Sequence, residues 1–578
     1  MKQTIHQTIL EAAQKYPNKI ALYYKKGGSY VGITYKELRR QISNFSSALL
    51  GLGIERGDRV AILSSNRPEW VVSDLAIMSI GAIVVPVHMT LSSKLIEHIL
   101  IDSGSRILIV NNQLQLNKVL LVEKEIPCLK KIIYMDIDSP DTPISKPLLF
   151  WEDCMRNGKK QGLKPKHESH HNDIATIVYT SGTTDNPKGV MLSHYNILSN
   201  VRAAIDYVPI YHKDVFLSFL PLSHILERTS GYYAALSRGA SIAYAENIKT
   251  LPQNFKEVRP TILISVPRIF EKLFDTIWER VKKGNPRVRE FFVWALKQNG
   301  NGWKHWISDV IIFRKIRKSL GGRLRFTISG GATLNPKLAK FYERIGIKIY
   351  EGYGLTETSP VVSVNREEKK RFGSVGQPLM GVDVKIAADK EILIKGPNVM
   401  KGYFQKEDAT SQAIDESGWF HTGDLGFIDS EGFLFVIGRS KEMMVLSTGK
   451  NVWPEVVENA LNSDRYISQS MVIGNKRPYL TAIIIPQMKE LEDFIQKNRI
   501  AYESIDELLE KPQIQNFYRE RIDRATQDFA VNEKIVRFAL IKNEFQQKKD
   551  ELTPTLKLRR DIIYHKYEKE IEKMYQKS

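Results

Sequence analysis

The sequence predicts an α/β protein of two domains, a large one over residues 1–438 and a smaller α+β one over residues 439–578. Three observations carry this reading. Short apolar, β-branched runs alternate with helical patterns through the first 350 or so residues, which is the signature of layered α/β units. At 578 residues the chain is longer than one ordinary domain. From Gly438 onward the pattern changes to a separate alternation of short strands, such as Ser470 to Ile473 and Leu480 to Ile485, with helices.

Taken in order, Met1-Lys-Gln-Thr-Ile-His leads into an amphipathic helix through Ala13 and lacks the apolar core of a signal sequence. A helix over Tyr35 to Leu52 and strands over Arg59 to Leu63 and Arg106 to Val110 make a first layered unit, to about residue 136. Leu75 to Val87, the longest apolar stretch, contains Ser79 and Gly81 and ends at Pro86, too short and broken to span a bilayer. Asp136 to His171 is rich in Pro, Lys and His without sustained periodicity, and reads as a linker whose His167, His170 and His171 are solvated. A second α/β unit follows from Asp173 to about Tyr353. Gly373 to Phe435 is dense in short strands and glycines, as in a small β-barrel-like subdomain. The two cysteines, Cys128 and Cys154, show no pairing pattern, which fits a reducing cytosol.

The net charge of +19 is unevenly spread. Residues from Arg439 onward carry 25 Lys and Arg against 22 Asp and Glu, leaving 59 against 43 for the first 438. Between Arg280 and Arg325 there are 13 basic side chains and only Glu290 and Asp309, with Phe291, Phe292, Trp294, Trp303, Trp306, Ile311, Ile312 and Phe313 interleaved. Such a stretch suits an anionic membrane surface or an acidic carrier protein. An ordinary helical pair with inward apolar residues and solvated lysines fits equally well. Nucleic acid is a weaker option, because no nucleic-acid motif occurs.

The most informative segment is Tyr179-Thr-Ser-Gly-Thr-Thr-Asp-Asn-Pro-Lys-Gly-Val190, read as a turn between the strand Ile174 to Val178 and a helix capped by Ser193. Gly182 and Gly189 let backbone approach an anion, Thr180, Ser181, Thr183 and Thr184 offer hydroxyls, and Lys188 supplies a point charge. The spacing is not that of a Walker loop.

This segment resembles the phosphate loop of the acyl-adenylate-forming superfamily. The resemblance extends through Pro221-Leu-Ser-His-Ile-Leu-Glu-Arg228, Ser329-Gly-Gly-Ala332, Tyr353-Gly-Leu-Thr-Glu-Thr358, Trp419-Phe-His-Thr-Gly-Asp424, Gly438-Arg-Ser-Lys441 and Leu552-Thr-Pro-Thr-Leu-Lys557. Val266-Pro267-Arg268, Ser447-Thr-Gly-Lys-Asn451 and the Thr-Pro-Thr-Leu-Lys ending look most like long-chain fatty-acid CoA ligases. Two departures stand out: Asp185 where glycine is common, and Leu556 before the lysine.

The resemblance implies specific roles. Thr356 would hydrogen-bond the α-phosphate, and Glu357 with Thr180 would hold Mg²⁺. Gly330, Gly331, Ala332, Tyr353 and Gly354 would receive the adenine of ATP, and Asp424 with Arg439 the ribose. His224 would stand at the acyl carboxylate, and Lys557 would bridge carboxylate and α-phosphate. Lys441 would be the hinge of a mobile carboxy-terminal domain, with Ser447, Gly449 and Lys450 beside the thiol. The implied reaction is ATP-dependent activation of a long-chain fatty acid and transfer to CoA, in a cytoplasmic enzyme or one peripheral to the inner face of a membrane. Delivery to acyl carrier protein is the nearest alternative. A silent membrane-surface acyl or nucleotide binder is a remoter one, opposed by the joint presence of Lys557, Glu357 and Asp424. Chain length, acceptor and oligomeric state are left open.

Overall fold

The computed structural model describes residues 3–136, 145–180, 187–298, 302–546, 549–552 and 558–576. By internal contacts they divide into two units. One comprises residues 1–385, 393–422 and 428–435, the other residues 386–392, 423–427 and 436–578.

The first unit is built on two large sheets. One has nine strands in the order Gln377–Pro378, Val361–Val364, Ile349–Gly354, Phe326–Ser329, Ile262–Ser265, Val215–Ser218, Ser241–Tyr244, Ile20–Lys26 and Ser29–Thr34. The other has eight, in the order Gly402–Tyr403, Lys188–Ser193, Ile174–Thr180, Ile83–Pro86, Arg59–Leu63, Ile107–Asn112, Lys131–Asp136 and Leu148–Phe150. The central strands are parallel and buried on both faces, which is why Val60–Leu63, Ile107–Val110 and Ile262–Ile264 read as continuous apolar runs.

The two layered units do not follow one another along the chain as the sequence suggests. Ile20–Lys26 pairs in parallel with Ser241–Tyr244 of the nine-stranded sheet. Ile174–Thr180 joins the eight-stranded one beside Ile83–Pro86. Each sheet thus takes strands from both sides of residue 136, a long-range choice that local periodicity does not encode.

Nor is 136–171 a plain linker. Leu148–Phe150 is an edge strand, and Trp151–Gln161 is a helix against Tyr35–Gly51. That helix buries Trp151, Cys154 and Gly158, an i, i+3, i+7 stripe hidden in the sequence because one member is glycine. The glycine is required: a Cβ at 158 would lie 1.9 Å from the Asn44 carbonyl oxygen.

The strand-dense region 373–435 contributes to three sheets. Asp383–Ile386, Glu391–Lys395, Phe420–Ile428 and Leu434–Arg439 form a four-stranded sheet, while its two shortest strands extend the large ones.

The second unit has a three-stranded sheet with Leu480–Pro486 in the centre, antiparallel to Ile467–Ile473 and parallel to Ile535–Leu540. Alternation along the central strand fills two cores. Leu480, Ala482 and Ile484 pack among Leu491, Leu508 and Tyr518, whereas Ile483 and Ile485 pack among Ile563 and Ile571. Among the described residues no helix is long and apolar enough to cross a membrane.

Candidate active site

Ile174–Thr180 and Lys188–Ser193 are antiparallel neighbours, with Thr180 opposite Lys188 and Tyr179 opposite Gly189. The Ser/Thr/Gly-rich segment therefore connects two strands of a hairpin, not a strand and a helix. Burial of Val190 and Leu192, with Met191 half-buried, is the period-two pattern of a strand. Helix His194–Tyr207 begins only after that strand, capped by the Ser193 hydroxyl accepting from the Asn196 N–H. Ser181, Gly182, Thr183 and Thr184, with Asp185, lie outside the described residues.

A third strand closes the base of this hairpin. Gly402–Tyr403 pairs with it, placing Tyr403 opposite Val190. The Tyr403 hydroxyl donates to Glu357 Oε1 at 3.0 Å, and Lys188 Nζ sits 5.5 Å from the centre of the same ring. Burial first, then the Glu357 charge, push the phenol's pKa up, so Tyr403 stays a donor. Backbone bonds fix the arrangement: Met400 N–H to the Glu357 carbonyl and Phe404 N–H to the Gly189 carbonyl, both at 2.8 Å. Thr180, Lys188 and Glu357 are thereby gathered at one corner.

The adjoining glycine-rich turns end two neighbouring parallel strands. Gly330, Gly331 and Ala332 follow Phe326–Ser329, with the Gly330 N–H bonded to the Ser265 carbonyl at 3.1 Å. Gly331 adopts φ +81°, a left-handed conformation that suits glycine. Tyr353 and Gly354 end Ile349–Gly354, and Thr356 and Glu357 occupy the following 3₁₀ turn. A Cβ at 354 would lie 1.8 Å from the Pro360 carbonyl oxygen, so only glycine fits there. Ser329 pairs with Glu351, which brings both turns to the carboxyl ends of their strands, the usual ligand edge of such sheets.

His224 packs against His88 with the rings tilted at 56° and their centroids 5.1 Å apart. Burial lowers the pKa of His224 to about 4 and that of His88 to about 3, so both rings are neutral at physiological pH. The Nε2 of each is buried without a hydrogen-bond partner among the described residues. His88, Ser223, Pro221, Phe219 and Tyr244 line a cavity of about 910 Å³. One turn further on, the backbone N–H of Arg228 donates to the His224 carbonyl at 3.0 Å. The Arg228 guanidinium is fully buried, paired with Asp74, and bonds Thr176 Oγ1 at 2.7 Å. The hydroxyls of Tyr232 and Tyr233 donate to Asp74 at 3.1 and 2.9 Å. This network ties the π-helical turn Glu227–Tyr233 to helix Pro68–Ser79 and strand Ile174–Thr180. Arg228 thus braces the turn that follows His224 and is itself closed to solvent.

In the second unit, Arg439 Nε lies 3.2 Å from Asp424 Oδ1, the carboxylate being buried and the guanidinium half-exposed. Lys441 is exposed in the 3₁₀ turn Ser440–Glu442. Ser447, Gly449 and Lys450 form an exposed turn between Met444–Val445 and Asn451–Val452, in which Gly449 adopts φ +76°. Lys557, with Leu556, lies outside the described residues; its flanking Leu552 and Leu558 are bridged to each other.

The AMP-binding enzyme profile matches residues 9–404, and its carboxy-terminal domain profile matches residues 441–578. The chain belongs to the AMP-binding enzyme family. This AMP-binding enzyme is 33% identical to the long-chain-fatty-acid–CoA ligase FadD15 of Mycobacterium bovis, over 95% of the chain and 93% of that protein. It is 31% identical to the long-chain-fatty-acid–CoA ligase ACSBG1 of Homo sapiens, over 99% and 85% respectively. Its fold is that of the A domain of a carboxylic acid reductase from Segniliparus rugosus, a structure in complex with AMP and a co-purified carboxylic acid. The TM-score is 0.82 at 19% identity, covering 99% of this chain and 94% of the other.

Two residues of this candidate site escape a reading by sequence. Tyr403 lies 46 positions from Glu357 in a two-residue strand too short for periodicity to register. His88 follows a buried strand as an unremarkable loop residue, and only the fold brings it to His224.

Proposed function

We propose that this AMP-binding enzyme activates long-chain fatty acids in two steps. An acid carboxylate oxygen attacks the α-phosphorus of ATP and pyrophosphate leaves, giving an acyl-adenylate. The sulfur of CoA then attacks the acyl carbonyl and AMP leaves. The observation that carries this reading is the corner where Thr180, Lys188 and Glu357 meet around Tyr403. Attack of one anion on another needs preorganised positive charge and hydrogen-bond donors, and this corner supplies them at the mouth of the hairpin.

The family resemblance supports a role for each remaining group. The Glu357 carboxylate and the Thr180 hydroxyl are hard oxygen donors, the type Mg²⁺ takes, and that ion would offset triphosphate charge. The turns at 330–332 and 353–354 bind adenine, and Thr356 donates to the α-phosphate. Asp424 accepts from the ribose hydroxyls, with Arg439 beside it. Neutral His224 presents an uncharged ring to the acyl carboxylate, so it packs there without holding it as an ion pair. Lys557 bridges carboxylate and α-phosphate in the first step. Rotation about Lys441 then withdraws it and brings Ser447, Gly449 and Lys450 to the thiol. The cavity beside His88 falls within the 300–1,000 Å³ typical of ligand sites. CoA is favoured over carrier protein as acceptor because the relatives at 31–33% identity are named CoA ligases. A lipid bilayer, into which long-chain acids partition, is the proposed source of substrate.

AMP release measured with acids of increasing length, and with CoA or acyl carrier protein as acceptor, tests the reading. Maximal CoA-dependent release with long saturated acids is expected. Release that requires carrier protein, or that ignores the acid, would overturn it.

A further inference from the structure

The basic segment at 280–325 separates in the fold into an inward and an outward set. Phe292, Ile312 and Phe313 are buried in the core with Phe270 and Tyr342, and Phe291, Trp294 and Ile316 pack half-buried against them. These residues have the bland role of core. Trp303 and Trp306 do the opposite, remaining 68% and 67% exposed, with Val310 and Ile311 exposed behind them.

Trp303–Ser308, a π-helical turn Asp309–Phe313 and Arg314–Ser319 run on as one continuous helix. Its buried side is Ser308, Ile312 and Phe313. Trp303, Trp306 and Val310 recur at intervals of three and four on the outer side. The helix therefore has a second apolar stripe that the core does not cover.

Charge frames that stripe. Lys304, Arg314, Lys315 and Lys318 are exposed, and Lys304 Nζ lies 5.7 Å from the Trp303 ring centre. Asp309, the one acid of the helix, is engaged by Arg317 through bonds of 2.5 and 2.9 Å, which removes its negative field from the face. Among the described residues, Lys304, Lys315 and Lys318 form no ion pair with a carboxylate.

We propose that this helix face docks the enzyme on anionic phospholipid. Trp303 and Trp306 would enter the headgroup boundary, and Lys304, Arg314, Lys315 and Lys318 would meet lipid phosphates. Indole suits that boundary because its apolar body is buried while its N–H stays wet. Lysine stems lie along apolar surface while the ammonium reaches outward. An acidic protein would be met by the charges, but two adjacent outward tryptophans flanked by free lysines match the layered polarity of a bilayer. The proposal rests on the acid-activating function only for why a bilayer is visited; docking itself is measured without ATP or acid.

The test is flotation of the full chain with phosphatidylcholine vesicles containing about a third phosphatidylglycerol, against pure phosphatidylcholine, at low and high salt. Binding should need the anionic lipid and weaken steeply between about 0.1 and 0.5 M salt. Lys304→Glu with Lys315→Glu and Lys318→Glu should weaken it at least about 100-fold, since each cation contributes roughly fivefold and reversal adds repulsion. Trp303→Ala with Trp306→Ala should weaken it about tenfold or more even at low salt. Reversal of three exposed lysines elsewhere, Lys159, Lys160 and Lys164, should change it less than about threefold, which separates a local face from net charge. Turnover of a soluble medium-chain acid should be unchanged in all three variants, showing that they fold. Vesicle binding that survives both helix variants overturns the proposal. So does loss of carrier acylation, or of self-association, with vesicle binding intact.

Discussion

Replacing Tyr403 with phenylalanine isolates one hydrogen bond at the metal corner. The hydroxyl donates to Glu357 Oε1 at 3.0 Å, a bond to a charged acceptor. Such bonds are worth about 1.5–3 kcal/mol, and half-exposure of both residues places this one near the low end, about 1.5 kcal/mol. That corresponds to roughly a tenfold change. Because the bond orients the carboxylate, the loss should appear as about a tenfold higher Mg²⁺ requirement in acid-dependent ATP–pyrophosphate exchange, with the KM for acid unchanged. Phenylalanine keeps the ring beside Lys188 at 5.5 Å, whereas Tyr403→Ala removes it and should cost a further twofold to fivefold, the scale of an exposed cation–π contact. An unchanged Mg²⁺ dependence in the phenylalanine variant, or equal effects of both substitutions on acid KM, would refute the assignment of Tyr403 as the residue that orients Glu357.

Other expectations follow from the same account. Lys557→Ala should lose acyl-adenylate formation by about two to three orders of magnitude while still converting supplied acyl-adenylate to thioester; near-normal pyrophosphate exchange would sink that role. Lys441→Pro restricts a backbone torsion and should depress thioester formation far more than adenylation, and equal losses would argue against a hinge. Burial lowers the pKa of His6 and His224 to about 4 and of His88 and His194 to about 3. The unfolded chain therefore binds protons below about pH 6.5 that the native rings refuse, and stability should fall with acidification from there to about pH 4. Glu227 works oppositely: burial raises its pKa to about 8, so stability is lost as pH rises from about 4.5 to 8, at about 1.4 kcal/mol per unit. Glu227→Gln should flatten the decline in melting temperature between pH 6.5 and 8, and an identical decline would show that Glu227 does not titrate there.

The parts of this molecule legible in its sequence are those whose signal is local. The helix Tyr35–Gly51 and the strand Arg59–Leu63 appear where periodicity places them. Ser193 caps its helix because a hydroxyl before an apolar stripe has that chemistry wherever it occurs. The illegible parts depend on distant partners. Nothing near Leu22 tells that it belongs beside Ile242, and nothing near Tyr403 points to Glu357. The hairpin at the phosphate loop was obscured because Gly189-Val-Met-Leu192 is short enough to pass for the approach to the helix. In the basic segment the sequence could list the aromatic residues but not sort them; the core claimed Phe292 and Phe313 and left Trp303 and Trp306 outside. Arg317, one of the basic side chains of that segment, is engaged by Asp309 eight residues away.

The account stands on formation of an acyl-adenylate at the Thr180, Lys188 and Glu357 corner. Its most direct test is incubation of the enzyme with Mg²⁺, ATP labelled at the α-phosphate and a long-chain acid in the absence of CoA, followed by mass analysis of the bound product. The account predicts one acyl-AMP and one pyrophosphate formed together, no label in ADP, and discharge of the acyl-AMP to AMP and acyl-CoA when CoA is added. Acid-dependent formation of ADP and phosphate, or thioester formation with no acyl-AMP on the path, would contradict it.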